Sequence, residues 1–322
     1  MSGSFKKIDY SIRPAKYAER RMLRDIFRRV GPFALPENYV YAGFGSVWFS
    51  DFILFHRSLG VKDMVSIEGS RAAQQRIIDN APFRIQLDFA RSGPALQRLD
   101  WAKRHFLWLD YDDPISREIL RDIRYVADKA VSGSVLAVSV KSGAAREFDQ
   151  AEGDTALQSL SAIERFRENF AVGQIPSNTN EEDLTGLPFA SLSRAMIATE
   201  IGVGLDIRNG KEEEDPVRFQ HICSFDYADG AEMTTIVGIF HTEEDASRVA
   251  DCHFEELSFV GELGATVSID VPLLTVREVR KLESQLPLPT GTPLAVGSMP
   301  PREAERFARL YRYLPHYAVL ES

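Results

Sequence analysis

Cysteine is nearly absent from this sequence: Cys223 and Cys252 are the two among 322 residues. A pair so placed makes neither a metal-ligand spacing nor a disulfide framework, which points to a reducing, cytoplasmic setting. Long apolar runs are missing as well. No segment reads as a bilayer span, and the polar, charged N-terminus does not read as a signal peptide. Positive charge is in deficit, with 38 Lys and Arg against 47 Asp and Glu. The net charge of −9 argues against a general nucleic-acid coat while leaving room for a local basic surface. No internal repeat is evident. These absences leave a soluble globular chain, 44% apolar and 26% charged, long enough for one large domain or a core with an appendage.

What is there is organised around Tyr39-Val40-Tyr41-Ala42-Gly43-Phe44-Gly45-Ser46-Val47-Trp48-Phe49-Ser50-Asp51-Phe52. Its first residues are β-branched and aromatic and predict a short strand. Gly43 and Gly45 allow a sharp turn and leave no Cβ between main chain and a ligand. Ser46 is placed to cap a following helix. Such a turn offers free N–H groups and the positive end of a helix dipole to a carboxylate, ribose or phosphate. About twenty residues further on, Val61-Lys62-Asp63-Met64-Val65-Ser66-Ile67-Glu68-Gly69 predicts a second strand ending in an acid, the spacing of nucleotide-binding α/β sheets. A carboxylate there can accept both ribose hydroxyls, each charge-assisted bond contributing roughly 1.5–3 kcal/mol. The dinucleotide fingerprint G-x-G-x-x-G breaks at its third glycine, where Trp48 stands, and this argues against NAD or FAD.

The turn resembles the first motif of class I S-adenosylmethionine-dependent methyltransferases, with Glu68 matching their ribose-binding acid. A longer set, Gly43-Phe44-Gly45-Ser46, Asp51-Phe52-Ile53-Leu54-Phe55-His56, Ser66-Ile67-Glu68 and Leu109-Asp110-Tyr111-Asp112, resembles bacterial proteins labelled as O-methyltransferases. The resemblance implies S-adenosylmethionine as cofactor. Its binding residues would be Gly43, Phe44, Gly45, Ser46, Glu68 and Gly69, with Asp110 and, at the adenine edge, Arg91 and Ser92.

Along the chain, residues 5–29 are the basic exception, carrying Lys6, Lys7, Arg13, Lys16, Arg20, Arg21, Arg24, Arg28 and Arg29. From Pro14 the apolar stripe Met22, Leu23, Ile26, Phe27, Val30 predicts a helix over the core with a solvated basic face. The functional alternative is a guide for an acidic acceptor, nucleic acid or a phosphorylated metabolite. Residues 47–59 predict a buried helix holding His56 as a hydrogen-bonded core residue. A second helix (71–79) and a third strand (83–89) follow. Residues 105–109 form an apolar fourth strand ending in Asp110-Tyr111-Asp112-Asp113-Pro114, where Asp112 or Asp113 can cap a helix over 116–130. Residues 133–140 are a fifth strand. The repeated strand–helix pattern predicts a doubly wound parallel α/β sheet, Rossmann-like. An insertion spans 142–186, with a helix around 157–170, and residues 189–201 are helical. Residues 211–215 predict a solvated loop. Two strands flank Ala228-Asp229-Gly230, a strong hairpin signal. An antiparallel hairpin closing a parallel sheet resembles the seven-stranded methyltransferase sheet. The domain reading is therefore 1–245 for the methyltransferase domain and 246–322 for a small appended α/β or winged-helix-like element with a docking or dimer role.

Ligands in open α/β sheets lie beyond the carboxyl ends of the strands, so the acids after the fourth strand border the pocket. An oxygen acceptor needs a base or metal to take its proton. Asp110 or Asp112 is the candidate base, and Tyr111 is placed to orient the acceptor. The fifth strand runs into Lys141-Ser142-Gly143, which does not support a complete metal site. The expectation is an S-adenosylmethionine-dependent, O-directed methyltransferase acting on a small molecule in preference to nucleic acid. A catalytically inactive S-adenosylmethionine-binding subunit of a larger assembly is the alternative. No membrane partner is expected, and a homodimer is allowed.

Overall fold

The structure is a computed structural model that describes residues 13–69, 71–145, 160–210, 215–289 and 292–315. Lys6, Lys7 and residues 211–214 of the acidic run lie outside the described residues.

Helix α1 (Pro14–Arg29) opens with proline at its first turn, where a missing N–H costs nothing. Strand β1 (Val40–Phe44) leads through the glycine turn into α2 (Ser50–Leu59). Strand β2 (Asp63–Ile67) is followed by a 3₁₀ turn at Arg71–Ala73 and α3 (Gln74–Asn80). The third strand, β3 (Gln86–Asp88), is shorter than its sequence pattern suggests: its ladder with β2 covers Val65 to Ile67 alone, with one further bond from Glu68 N–H to the Asp88 carbonyl. Then come α4 (Ser92–Leu96), β4 (His105–Pro114), α5 (Arg117–Lys129) and β5 (Val135–Lys141). The insertion carries α6 (Ala162–Glu168), and α7 (Gly186–Asn209) runs 24 residues, beyond the expected 189–201 at both ends. Strands β6 (Val217–Ala228) and β7 (Glu232–Thr242) form the hairpin. The tail contributes α8 (Ala246–Asp251), β8 (Thr266–Ser268), α9 (Val276–Glu283) and α10 (Pro301–Leu310).

The strands make one sheet in the order β3-β2-β1-β4-β5-β7-β6-β8. Strands β1 to β5 are parallel, and β7 inserts antiparallel between β5 and β6. The doubly wound, mostly parallel sheet with its antiparallel hairpin is as the sequence implies. The eighth strand is the difference: β8 pairs in parallel with β6 and extends the sheet edge.

Side chains of β4 alternate between two apolar layers, as the pleat requires. Phe106 and Trp108 face a cluster with Phe27 of α1, Phe52 and Phe55 of α2, and Phe307 of the tail. Leu107 and Leu109 face Ile119 and Ile123 of α5 and Met196 of α7. In the first layer Phe106 is stacked between Tyr39 and Phe27, at 4.1 and 4.4 Å between ring centres. In the second, a Cβ on Gly204 would meet the Arg124 carbonyl at 2.5 Å, so α7 lies on α5 closer than any side chain there would allow.

Candidate functional site

Register fixes the site. Gly43 of β1 lies opposite Ser66 of β2 on one side and Trp108 of β4 on the other. The residues that continue these strands, Gly45, Glu68 and Asp110, are therefore brought to one edge of the sheet.

Four residues separate Gly45 from α2, and Ser46 is too far upstream to cap it. Its Oγ instead accepts the Trp48 N–H at 3.2 Å within the turn, and Phe49, with φ at 46°, takes the cap position. A Cβ on Gly45 would stand 2.0 Å from Ser66 Oγ and 2.2 Å from Glu68 Oε1. The glycine is thus required by the carboxylate beneath it. Ser66 Oγ donates to Glu68 Oε1 at 2.7 Å, and Glu68 is 5% exposed. Burial pushes its pKa up to about 7; the Ser66 bond opposes this and the Asp51 charge adds to it.

Helix α1 supplies the cations. Lys16 is buried, and its Nζ lies 2.6 Å from Asp110 Oδ1, 2.8 Å from Glu19 Oε2 and 3.0 Å from Tyr227 Oη. It also stands 4.3 Å above the centre of the Trp108 ring. Burial pulls its pKa down, but the Asp110 and Glu19 charges outweigh that and the net shift is upward. A polar chain continues inward. Thr235 Oγ1 donates to Glu19 Oε1, Ser139 Oγ lies 2.8 Å from Thr235 Oγ1, and Trp108 Nε1 donates to Ser139 Oγ at 2.9 Å. One turn after Lys16, Arg20 is 8% exposed and its charge opposes the burial that raises the pKa of Asp51.

One cleft gathers Phe44, Gly45, Ser46, Asp110 and Asp112 with Arg20, Ser50, Asp51 and Trp108. Gly43 precedes it in β1, Glu68 lies under its floor, and Gly69 is exposed, with nothing within 4 Å of a Cβ there. Tyr111 is turned away, because strand alternation places it on the α5 side. Its hydroxyl donates to Asp122 Oδ2 at 2.9 Å, its ring meets Phe44 edge-on at 4.8 Å, and burial drives its pKa far up. Arg91 is exposed and pairs with Glu118 at 3.6 Å, while Ser92 bonds Asp122; neither lines the cleft. The helix after β4 is capped by Ser116, whose Oγ accepts the Ile119 N–H, so Asp112 and Asp113 are not its cap. His56 is hydrogen-bonded as expected, donating Nδ1–H to the Val61 carbonyl at 2.8 Å, but it is half-buried and not a core residue, since only Asp51, Phe52 and Phe55 of α2 are buried.

Sequence reasoning missed Arg20, Ser50, Asp51 and Trp108 in the cleft, and Lys16 with its partners Glu19 and Tyr227 in the network. The solvated basic face expected of α1 is wrong for Lys16 and Arg20, which are buried. A signal was present: positions 16, 20, 23 and 27 follow helical spacing, so both cations continue the apolar stripe through Leu23 and Phe27.

The profile of a family described as "Putative O-methyltransferase" matches residues 8–322. No curated protein matches. Among solved structures, DesVI of Streptomyces venezuelae is similar at 12% identity, over 71% of this chain and 94% of that one, with a TM-score of 0.39. An O-methyltransferase from Bacillus cereus in complex with SAH is similar at 11% identity, over 72% and 82%, with a TM-score of 0.35. The sugar N-methyltransferase KedS8 from a Streptoalloteichus species is 14% identical over 39% of this chain, with a TM-score of 0.30. The match spans 49%, about half, of that protein's length.

Proposed function

The chain belongs to the O-methyltransferase family whose profile it matches almost end to end, and on that premise we propose that it is an S-adenosylmethionine-dependent enzyme methylating an oxygen of a small molecule. The observation that carries this reading is the placement of the Gly45 turn directly over the buried carboxylate of Glu68, with Asp110 in the same cleft. The residues fit the cofactor. Gly45 and Ser46 line the cleft, and Glu68 beneath the Gly45 turn keeps one carboxylate oxygen, Oε2, outside the Ser66 bond as an acceptor for a ribose hydroxyl. When bound, S-adenosylmethionine supplies a methyl carbon made electrophilic by its sulfonium.

The chain's own residues then have two tasks, to align the acceptor and to take its proton. Asp110 and Asp112 share the cleft face of β4, and a carboxylate oxygen there is where the acceptor's hydroxyl proton goes. Lys16 occupies Oδ1 of Asp110 and so fixes the orientation of that carboxylate.

The same ion pair favours a second reading, a cofactor-binding protein without turnover, since Asp110 is already engaged. Calorimetry with S-adenosylmethionine, S-adenosylhomocysteine and NAD, followed by an acceptor screen, tests both. The expected result is binding of the two sulfur ligands and not NAD. In a positive acceptor assay Asp110→Asn keeps cofactor affinity and loses turnover by roughly 10²-fold. Binding without transfer to any acceptor would favour the second reading.

A further inference from the structure

The cleft holds two buried cations in different states. Lys16 has three N–H donors and three oxygen partners, so it is fully committed to the protein. Arg20 is not. Its Nε is buried and has no hydrogen-bond partner among the described residues, although the residue lines the cleft. A buried charged donor left without a partner is costly, and such a group in a cleft wall marks where a ligand atom belongs. Asp51 balances part of the charge, but its carboxylate is taken by the Tyr41 hydroxyl. Ser50, the first residue of the ten-residue helix α2, lines the same cleft and brings the positive end of that helix.

We propose that Arg20 is a carboxylate-binding residue of this cleft, a specificity determinant that receives an acid group of a ligand on its guanidinium. The planar donor set of arginine matches a carboxylate. A phosphate dianion is disfavoured, because Asp51, Asp110 and Asp112 line the same cleft and a single uncommitted cation does not offset a double charge beside them. The carboxylate has two sources, the amino-acid end of the methyl donor or an acid group on the acceptor. The first source rests on the reading proposed above.

The test compares wild type, Arg20→Gln and Arg20→Lys by calorimetry with S-adenosylhomocysteine and with its decarboxylated analogue. A panel of small carboxylic acids, each beside its amide, is run in parallel by thermal shift. If the donor is the source, Arg20→Gln weakens S-adenosylhomocysteine by about tenfold or more and leaves the analogue within about twofold. If the acceptor is the source, both nucleosides bind all three proteins alike. Acids of the panel then stabilise wild type over their amides, and Arg20→Gln loses the difference. Arg20→Lys keeps part of either effect, which a purely structural role would not give. Unchanged discrimination in a folded Arg20→Gln protein, for the nucleosides and for every acid–amide pair, overturns the proposal. A wild type that binds neither nucleoside removes the methyl-donor reading instead, and the acid panel alone then decides on Arg20.

Discussion

Glu68 makes one contribution to the pH behaviour of the free protein. Asp51, Asp122 and Asp229, raised by burial, act in the same sense, and His105, which burial pulls down to about 4, opposes them. The folded pKa of Glu68 is about 7 against the ordinary 4.5, so between those values the folded state holds a proton that the unfolded state has released. The Glu68 share of stability therefore falls as pH rises through this window, by a total on the order of 3 kcal/mol. Glu68→Gln should lose that share, so its stability should gain on wild type as pH rises, as read from urea melts of both proteins between pH 4.5 and 8. Added S-adenosylhomocysteine should bind more tightly as pH rises, because ribose hydroxyls donate best to the ionised form. A difference between the two proteins that does not change with pH would take this proton off Glu68. Lys16 is the opposite case, a cation with two carboxylates against it. Lys16→Met would leave Glu19 and Asp110 facing each other without their counter-charge, and removal of one partner of a buried pair costs about 3–5 kcal/mol. Denaturant melts of Lys16→Met should show a loss of that size. A loss under about 1 kcal/mol, the range of surface pairs, would mean that the network carries little.

At the scale of elements, α1 is held by parts of the chain far from it in sequence. Its first N–H groups, on Ala15 and Lys16, donate to Asp229 Oδ2 at 3.0 and 3.1 Å. Asp229 belongs to the Asp-Gly turn of the β6–β7 hairpin, so one residue serves the hairpin and caps a helix more than two hundred residues earlier. Asp229→Ala should cost about 1 kcal/mol, the usual value of a helix cap, and hydrogen exchange should localise the loss to the first turn of α1. Equal loosening along the whole hairpin would place the effect in the turn instead. The strands, the hairpin and the Gly45–Glu68–Asp110 constellation were legible because each is written in a local pattern, a run, a spacing or a dipeptide. The burial of Lys16 and Arg20 left only the helical spacing of their positions as a signal, and the network of Lys16 left none, since its partners Asp110 and Tyr227 lie 94 and 211 residues away. Ser46 misled for a related reason: a serine after a glycine turn signals a cap, but the length of the turn decides which residue reaches the helix.

Across the whole molecule, the residues after 246 and the N-terminal helix depend on each other. Phe254, Phe259, Ile269, Leu282, Phe307 and Leu310 are buried in the same apolar layer as Met22, Leu23, Ile26 and Phe27. Arg29 reaches Glu256 at 3.0 Å, Phe259 lies 5.9 Å from Phe225 of β6, and Tyr313 stands edge-on to Phe259 at 5.4 Å. The cleft itself is lined by residues between 20 and 112, so a tail acting only as a docking appendage could be removed without touching cofactor binding. The packing argues otherwise. Each of these large apolar side chains contributes about 1.5–3 kcal/mol on full burial, and six together rival the about 5–15 kcal/mol by which a folded domain is stable. Deleting residues 246–322 should expose the inner face of α1, loosen Lys16 and Arg20 in the cleft wall, and give a chain that aggregates or self-associates and binds S-adenosylhomocysteine poorly. Light scattering and calorimetry on the truncated chain test this directly. A soluble truncation with its assembly state unchanged and full affinity would show that α1 holds its place through Asp229 and the Lys16 network alone.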